Sequence, residues 1–167
     1  MGSVLAMQGQ RQEGIAQMHQ GQAAKQATGQ QLGTPGCLAR LAEAYGAGGQ
    51  TEDGLRLLAE ALAHVDHTDE RCGEAEVYRL KGELLRHQAV PDVPQAEACF
   101  QQALAVARRQ QAKAYELRAA LSLSRLWQRQ GKRAEARELL ASIYGWFTEG
   151  FDTADLQDAK ALLDELA

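Results

Sequence analysis

Residues 49–62 read GQTEDGLRLLAEAL, and residues 131–144 read GKRAEARELLASIY. Each opens on glycine, crosses a short polar run that includes a glutamate, and reaches a Leu-Leu pair followed by a small residue. The apolar and small positions recur at helical spacing, as Gly54, Leu58 and Ala61 in the first and Ala136, Leu140 and Ile143 in the second. Two further segments follow the same plan. GQRQEGIAQMHQG (residues 9–21) carries Gly14, Met18 and Gly21, and PQAEACFQQAL (94–104) carries Ala96, Phe100 and Ala103. Gly14 to Gly54 is 40 residues, Gly54 to Ala96 is 42, and Ala96 to Ala136 is 40. A fixed period of this length predicts stacked helical units.

A second type of helix precedes the later copies. CLARLAEAY aligns Leu38, Leu41, Ala42 and Tyr45 on one face. YRLKGELL places Tyr78, Lys81, Gly82 and Leu85 at the same offsets, and ALSLSRLW places Ala120, Leu123, Ser124 and Trp127 there. The i, i+3, i+4, i+7 spacing makes a single stripe. Its third member is always small (Ala42, Gly82 or Ser124), which lets the paired helix approach closely. A two-helix unit cannot hide its own apolar stripe, but stacked copies hide one another's. The Leu-Leu pairs are therefore expected to face neighbouring units, and glycine at the turn to permit a tight reversal.

Composition agrees. The 167 residues suit one domain, are rich in unbranched helix formers, and include only three prolines. No run of alternating β-branched residues predicts a strand. The net charge of −4, with both signs interspersed, argues against a generic nucleic-acid binder. No apolar run approaches the ~20 residues of a membrane span, and the N-terminus lacks the basic-then-apolar pattern of a signal peptide. Cys37, Cys72 and Cys99 are odd in number and read as reduced, buried thiols of a cytoplasmic protein.

The paired pattern resembles the tetratricopeptide repeat (TPR), in which a large residue, Leu-Gly and an aromatic on helix A precede Ala, an aromatic or Leu, and Ala on helix B. The departures are Gly14 and Gly54 for the first small alanine, Ile143 for the second, and a period near 40 where ~34 is usual. Longer helices and the extended turn in RHQAVPDVPQ (86–95) would account for the excess. The resemblance implies an all-α, right-handed α-solenoid of about 3.5 TPR-like repeats with a C-terminal capping helix. One domain is expected over residues 1–167, with a partial first repeat (1–33), repeat two (34–73), repeat three (74–115), repeat four (116–148) and the cap (152–167). Only residues 2–8 could serve as helix A of the first repeat, and its helix B (about 11–29) is rich in glutamine and glycine. In the cap, Asp152 or Thr153 is the expected N-cap. Leu156, Ala159, Leu162, Leu163 and Leu166 form its apolar stripe, with Asp155, Asp158, Asp164 and Glu165 outside. Residues 75–166, and most closely 108–156, also resemble the C-terminal repeat regions of bacterial signalling proteins. Those proteins join a nucleotide cyclase or transcription-regulator module to a P-loop ATPase. That likeness implies a sensory or regulatory arm.

Little in the chain points to chemistry. His64, His67 and Cys72 have a loop spacing that could suggest zinc, but they do not complete four ligands. Neither Cys37 nor Cys99 has a sequence-local partner to activate its thiol. The acidic run DERCGEAE (69–76) reads as solvated surface. No Gly-rich loop ending in Lys-Ser/Thr is present. The expectation is a chain that is not an enzyme and uses no cofactor or metal. Trp146, Phe147 and Phe151 are expected to seal the junction between the last repeat and the cap.

One surface could bind. The inward positions of the A helices are Ala39, Glu43 and Ala47 in repeat two. They are Glu76, Arg79, Glu83, Arg86 and His87 in repeat three, and Arg118, Leu121, Arg125, Gln128 and Arg129 in repeat four. From these, a partner groove is expected at Glu43, Glu76, Arg79, Glu83, Arg86, His87, Arg118, Arg125, Gln128 and Arg129. Arginines gathered on a concave face can fork onto carboxylates of an acidic protein or peptide partner. The opposing possibility is that Glu76 and Glu83 pair with them at i, i+3 and leave a solvated face. The expected function is a non-catalytic protein-interaction module, with no nucleic-acid or membrane partner. The alternative is a structural spacer or homo-oligomerisation arm docking through the incomplete first repeat.

Overall fold

The computed structural model describes residues 11–27 and 33–167. Among these, the structure contains helices and turns, with no strand. The helices are α1 (Arg11–Ala27), α2 (Thr34–Ala47), α3 (Thr51–Thr68), α4 (Glu74–Arg86), α5 (Val93–Arg109), α6 (Lys113–Arg129), α7 (Arg133–Tyr144) and α8 (Ala154–Glu165). Helices α2/α3, α4/α5 and α6/α7 are antiparallel pairs, α1 precedes them, and α8 closes the stack. The proposed short helix at residues 2–8 and the end of the first helix B lie outside the described residues.

The pairs form where the sequence places its small residues. Gly54 of α3 sits against α2, where an added Cβ would lie 3.0 Å from the Ala42 carbonyl oxygen. Gly82 of α4 sits against α5, with the Ala96 carbonyl oxygen 3.0 Å from the same imagined atom and the Phe100 ring nearer still. In the last pair the approach is a hydrogen bond, as Ser124 Oγ donates to the Ala136 carbonyl at 3.0 Å. Ala42, Ala96, Ser124 and Ala136 are fully buried. The large members of the motif fill the space beside these crossings, with Leu58, Phe100 and Leu140 inaccessible to water.

The turns between paired helices reverse the chain in three residues (48–50 and 130–132), except at 87–92. Gly49 and Gly131 hold φ near +80°, the left-handed conformation in which a side chain would collide with the backbone. The longer 87–92 turn ends in Asp92, whose carboxylate accepts from the Gln95 N–H at 3.0 Å and caps α5. The long period arises partly there and partly in the helices, since α3 runs 18 residues and α5 and α6 run 17 each.

Each A helix packs on the A helix of the next unit: α2 on α4, α4 on α6, and α6 on α8. Among the described residues the B helices do not meet one another. The stack therefore closes toward its A side, and α2, α4, α6 and α8 line the concave face. One continuous apolar core runs from Leu85 to Leu166 and holds Leu156, Ala159 and Leu162 of the cap.

Three local expectations need correction. Thr153 is the N-cap of α8, but its hydroxyl donates back to the Gly150 carbonyl and does not accept from the helix. Trp146 and Phe151 do not seal the junction, as both are exposed and only Phe147 touches the core. The cap's leucines and Tyr144 already close it, leaving Trp146 edge-on to Phe147 beneath the Lys113 ammonium. Of the cysteines only Cys99 is buried, because Cys72 lies in an exposed turn and Cys37 is half-buried at the start of α2.

The Gly82 crossing gives a direct test. Alanine there gains helix propensity of up to ~1 kcal/mol, but must displace a buried ring and cannot displace a backbone carbonyl. Gly82→Ala should lose about 1–3 kcal/mol of unfolding free energy in urea titrations.

Candidate functional site

The concave face is built from residues that α2, α4 and α6 turn away from their B partners, with α8 beside α6. Glu76 is the centre of its charge pattern. Arg79, one helical turn on, forks onto it with Nε at 2.9 Å and Nη2 at 2.8 Å. Arg118 of the next A helix reaches the same carboxylate at 3.0 Å. Arg79 is largely buried, and burial works against its charge, yet the Glu76 hydrogen bonds and carboxylate hold its pKa above the ordinary value. Glu83 has the mirror arrangement. Burial pushes its carboxyl up, but hydrogen bonds from Arg86 and Ser122 outweigh this and leave it below the usual range. The Arg86–Glu83 contact is 2.7 Å.

The cap completes the pattern. Arg118 Nε lies 3.7 Å from Asp155, and Arg125 lies 2.9 Å from Asp158. Gln128 donates to Glu165 at 3.1 Å. Three of the four acids expected on the outside of α8 thus face α6; the fourth, Asp164, is exposed and pairs with Lys160. His87 turns its ring back to the Glu83 carbonyl, 2.7 Å away, and terminates α4. Of the five arginines expected to form an open basic strip, four carry a carboxylate, and Arg129 alone has no ion pair among the described residues. The i, i+3 pairs were legible in the sequence. The bridges to Asp155 and Asp158 were not, because they depend on how far apart the A helices stand.

The open space lies elsewhere. A cavity of about 840 Å³ runs along α2 and is bounded by Met18 of α1, by α4 and by Tyr115 of α6. Of the expected groove residues it takes in Glu43, Glu76 and Arg118. Its apolar surface comes from Ala39, Ala44, Ala47 and Leu80, and Arg40 stands exposed at its edge. Arg40 is not among the expected groove residues, although the repeat carries the signal. Its counterparts 40 and 82 residues on are Leu80 and Ser122, both buried. Arg125, Gln128 and Arg129 border a separate cleft of about 190 Å³ with Asp158 and Glu165.

The zinc-like spacing does not assemble. His64 faces Glu70 at 3.4 Å, while His67 and Cys72 are exposed. Among the described residues no three His, Cys, Asp or Glu side chains converge as a metal site, and no helix is long and apolar enough to cross a membrane.

No family model matches the chain, and no curated protein matches it in sequence. Two crystal structures of a putative kinesin light chain from Podosopora anserina, with nearly identical TPR-like repeats, are similar to it. One superposes with a TM-score of 0.72 at 20% identity, covering 99% of this chain and 81% of that one. The other gives 0.70 at 21% identity with the same coverage. The fold is thereby an α-solenoid of TPR-like helical repeats.

The paired acids give a pH prediction. Trp127 Nε1 donates to Glu97 at 2.8 Å and, with Gln130 and nearby Lys132, keeps that carboxyl below its usual range. Burial raises Glu116, but hydrogen bonds from Lys113 and Arg108 bring it below that range too. Groups depressed in the folded state stabilise it fully above their unfolded pKa of about 4.3, and that stability is lost as pH falls through the lower folded values. Melting temperature should hold from neutrality to about pH 5 and then drop. In the Glu97→Gln variant the drop should be smaller, as differential scanning fluorimetry would show.

Proposed function

We propose that the chain is a non-catalytic protein-interaction module that takes a peptide, or an exposed segment of a partner protein, into the cavity along α2. The observation that carries this reading is a contrast between two ends of one surface. Around α6 and α8 the concave face is bridged by its own ion pairs and narrows to a cleft of about 190 Å³. Along α2 it stays open, with a volume in the range of pockets that bury most of a ligand, an alanine-rich floor, and Arg40, Glu43, Glu76 and Arg118 among its lining residues. The TPR-like fold supports the same reading, since a rigid stack of helices presents such a surface without having to order it on binding.

The likeness of residues 75–166 to repeat regions of bacterial signalling proteins supports a place as the sensory or regulatory arm of a larger protein. Three free cysteines suit the reducing conditions of the cytoplasm.

The test uses random peptides displayed on phage and selected on the immobilised chain. Ala47 is exposed, lines the cavity and ends α2, so Ala47→Trp should fill the space without unfolding the helix. Selected peptides should bind this variant at least about tenfold more weakly, with an unchanged melting temperature. Arg125→Glu, at the closed end, should bind them like the wild type. Peptides that hold Ala47→Trp as tightly as the wild type, or a selection that enriches nothing over the bare support, would overturn the proposal.

A further inference from the structure

The later repeats show what covers the counterpart of the cavity along α2. On each later A helix one stripe packs against the A helix before it. In α4 the stripe is Val77, Leu80 and Leu84, which share one core with Leu38, Ala39 and Ala42 of α2 and with Leu58 and Ala61 of α3. Leu84 enters a notch at Gly46 and Gly54, where an added Cβ on either glycine would overlap its side chain. In α6 the stripe is Ala119, Ser122 and Leu126, all buried, with Arg79 of α4 reaching Ser122 at 3.5 Å. Counting back 40 residues from α4 gives Cys37, Arg40 and Ala44 on α2, with Ala47 next along the same face. All four line the cavity, with Arg40 and Ala47 exposed and Cys37 half-buried. The B helices repeat the contrast. Met18 of α1 borders the cavity half-buried, whereas its counterparts Leu58, Phe100 and Leu140 are inaccessible to water. Among the described residues α2 meets α1, α3 and α4 and no A helix before it. Two faces that are covered in every later unit thus lie open side by side.

We infer that the partner segment held along α2 binds as an amphipathic helix, seated between Met18 and the stripe of Cys37, Arg40, Ala44 and Ala47 as one more A helix of the stack. This rests on the cavity being the binding site, and it names the form and chemistry of the partner. The contact between successive A helices is an interface the fold already uses, and the partner extends it by one step. From Cys37 to Ala47 the stripe spans ten residues, about 15 Å of helix. It is the shallow member of its series, with Ala44 where the later repeats have Leu84 and Leu126. Close packing then requires the partner to bring the bulk, as large apolar side chains at i, i+3 or i+4, and i+7. Arg40 can lay its aliphatic stem along the seated helix and keep its guanidinium in water. Glu43 belongs to the other side of α2, since its counterparts Glu83 and Arg125 face the A helix that follows.

The probes are the phage-selected peptides, synthesised with and without a carbon-13 label. Selections on the wild type should converge on large apolar residues at helical spacing. An alanine scan of a selected peptide should lose about tenfold at each of these positions and little between them. Proline at the centre of the peptide should weaken binding about a hundredfold, while proline at its first helical position should be tolerated. The bound, labelled peptide should show helical carbon shifts by NMR. Met18→Gln should weaken the same peptides about threefold or more, with an unchanged melting temperature. Peptides that depend on Ala47 but bind extended, with alternate side chains engaged and central proline tolerated, would sink this inference and leave the cavity reading standing. A tenfold gain in peptide affinity on deleting residues 2–8 would give the slot to the chain's own segment, and a dimer dissolved by Ala47→Trp would give it to a second copy; either would overturn the inference. Peptides indifferent to Ala47→Trp would remove the cavity reading, and a selection that enriches nothing would remove both.

Discussion

The structure depends on how closely the two helices of each unit can cross. At each crossing a residue with little or no side chain meets backbone: Gly54 over the Ala42 carbonyl, Gly82 over that of Ala96, and Ser124 bonded to that of Ala136. Interhelical distance is set by the side chains at the contact. A larger residue at any of these positions would part the pair and open the space that Leu58, Phe100 and Leu140 now fill. Packed interiors lose energy steeply when such gaps open. The glycines at 54 and 82 lower helix propensity, and the close contact they permit offsets that cost.

From this crossing follows the curvature. With A and B drawn together, each A helix reaches the next A helix, and the B helices remain apart. The concave face then becomes a row of A helices whose inward side chains are close enough to pair across the row. Glu76 to Arg118 and Arg118 to Asp155 form a chain of ion pairs running through three successive A helices. These pairs are partly exposed, so each contributes little to stability. Their effect is on recognition. They neutralise most of the basic residues of this face internally, and leave Arg40, Arg129 and Glu43 without an ion pair among the described residues.

Buried carboxylates brace the joints between helices in a related way. Glu74 and Glu116, 42 residues apart and both near the start of an A helix, are each buried and paired with basic residues at the end of α5. Glu97 collects Trp127, Gln130 and Lys132 from the following unit. A repeat protein must hold each unit to its neighbours through such nearest-neighbour contacts, because no central core gathers the whole chain. The acid sensitivity of Glu97 and Glu116 is then a property of the joints.

The sequence by itself determined the helices, their pairing and the buried stripes. Those are written in local periodicity and in small residues recurring at the same offset, and the physics of helix packing reads them one unit at a time. Leu58, Ala61, Phe100, Ala103, Leu140 and Leu156 are buried as their spacing requires. The same reading listed the inward residues of the A helices and the i, i+3 pairs among them. Only the tertiary structure decided which of those residues are free. Whether Arg125 faces solvent or Asp158, and whether Arg40 stands beside a cavity or under a neighbouring helix, depends on distances between helices far apart in the chain. Those distances come from side-chain volumes at the crossings, and no residue's own neighbours in sequence record them.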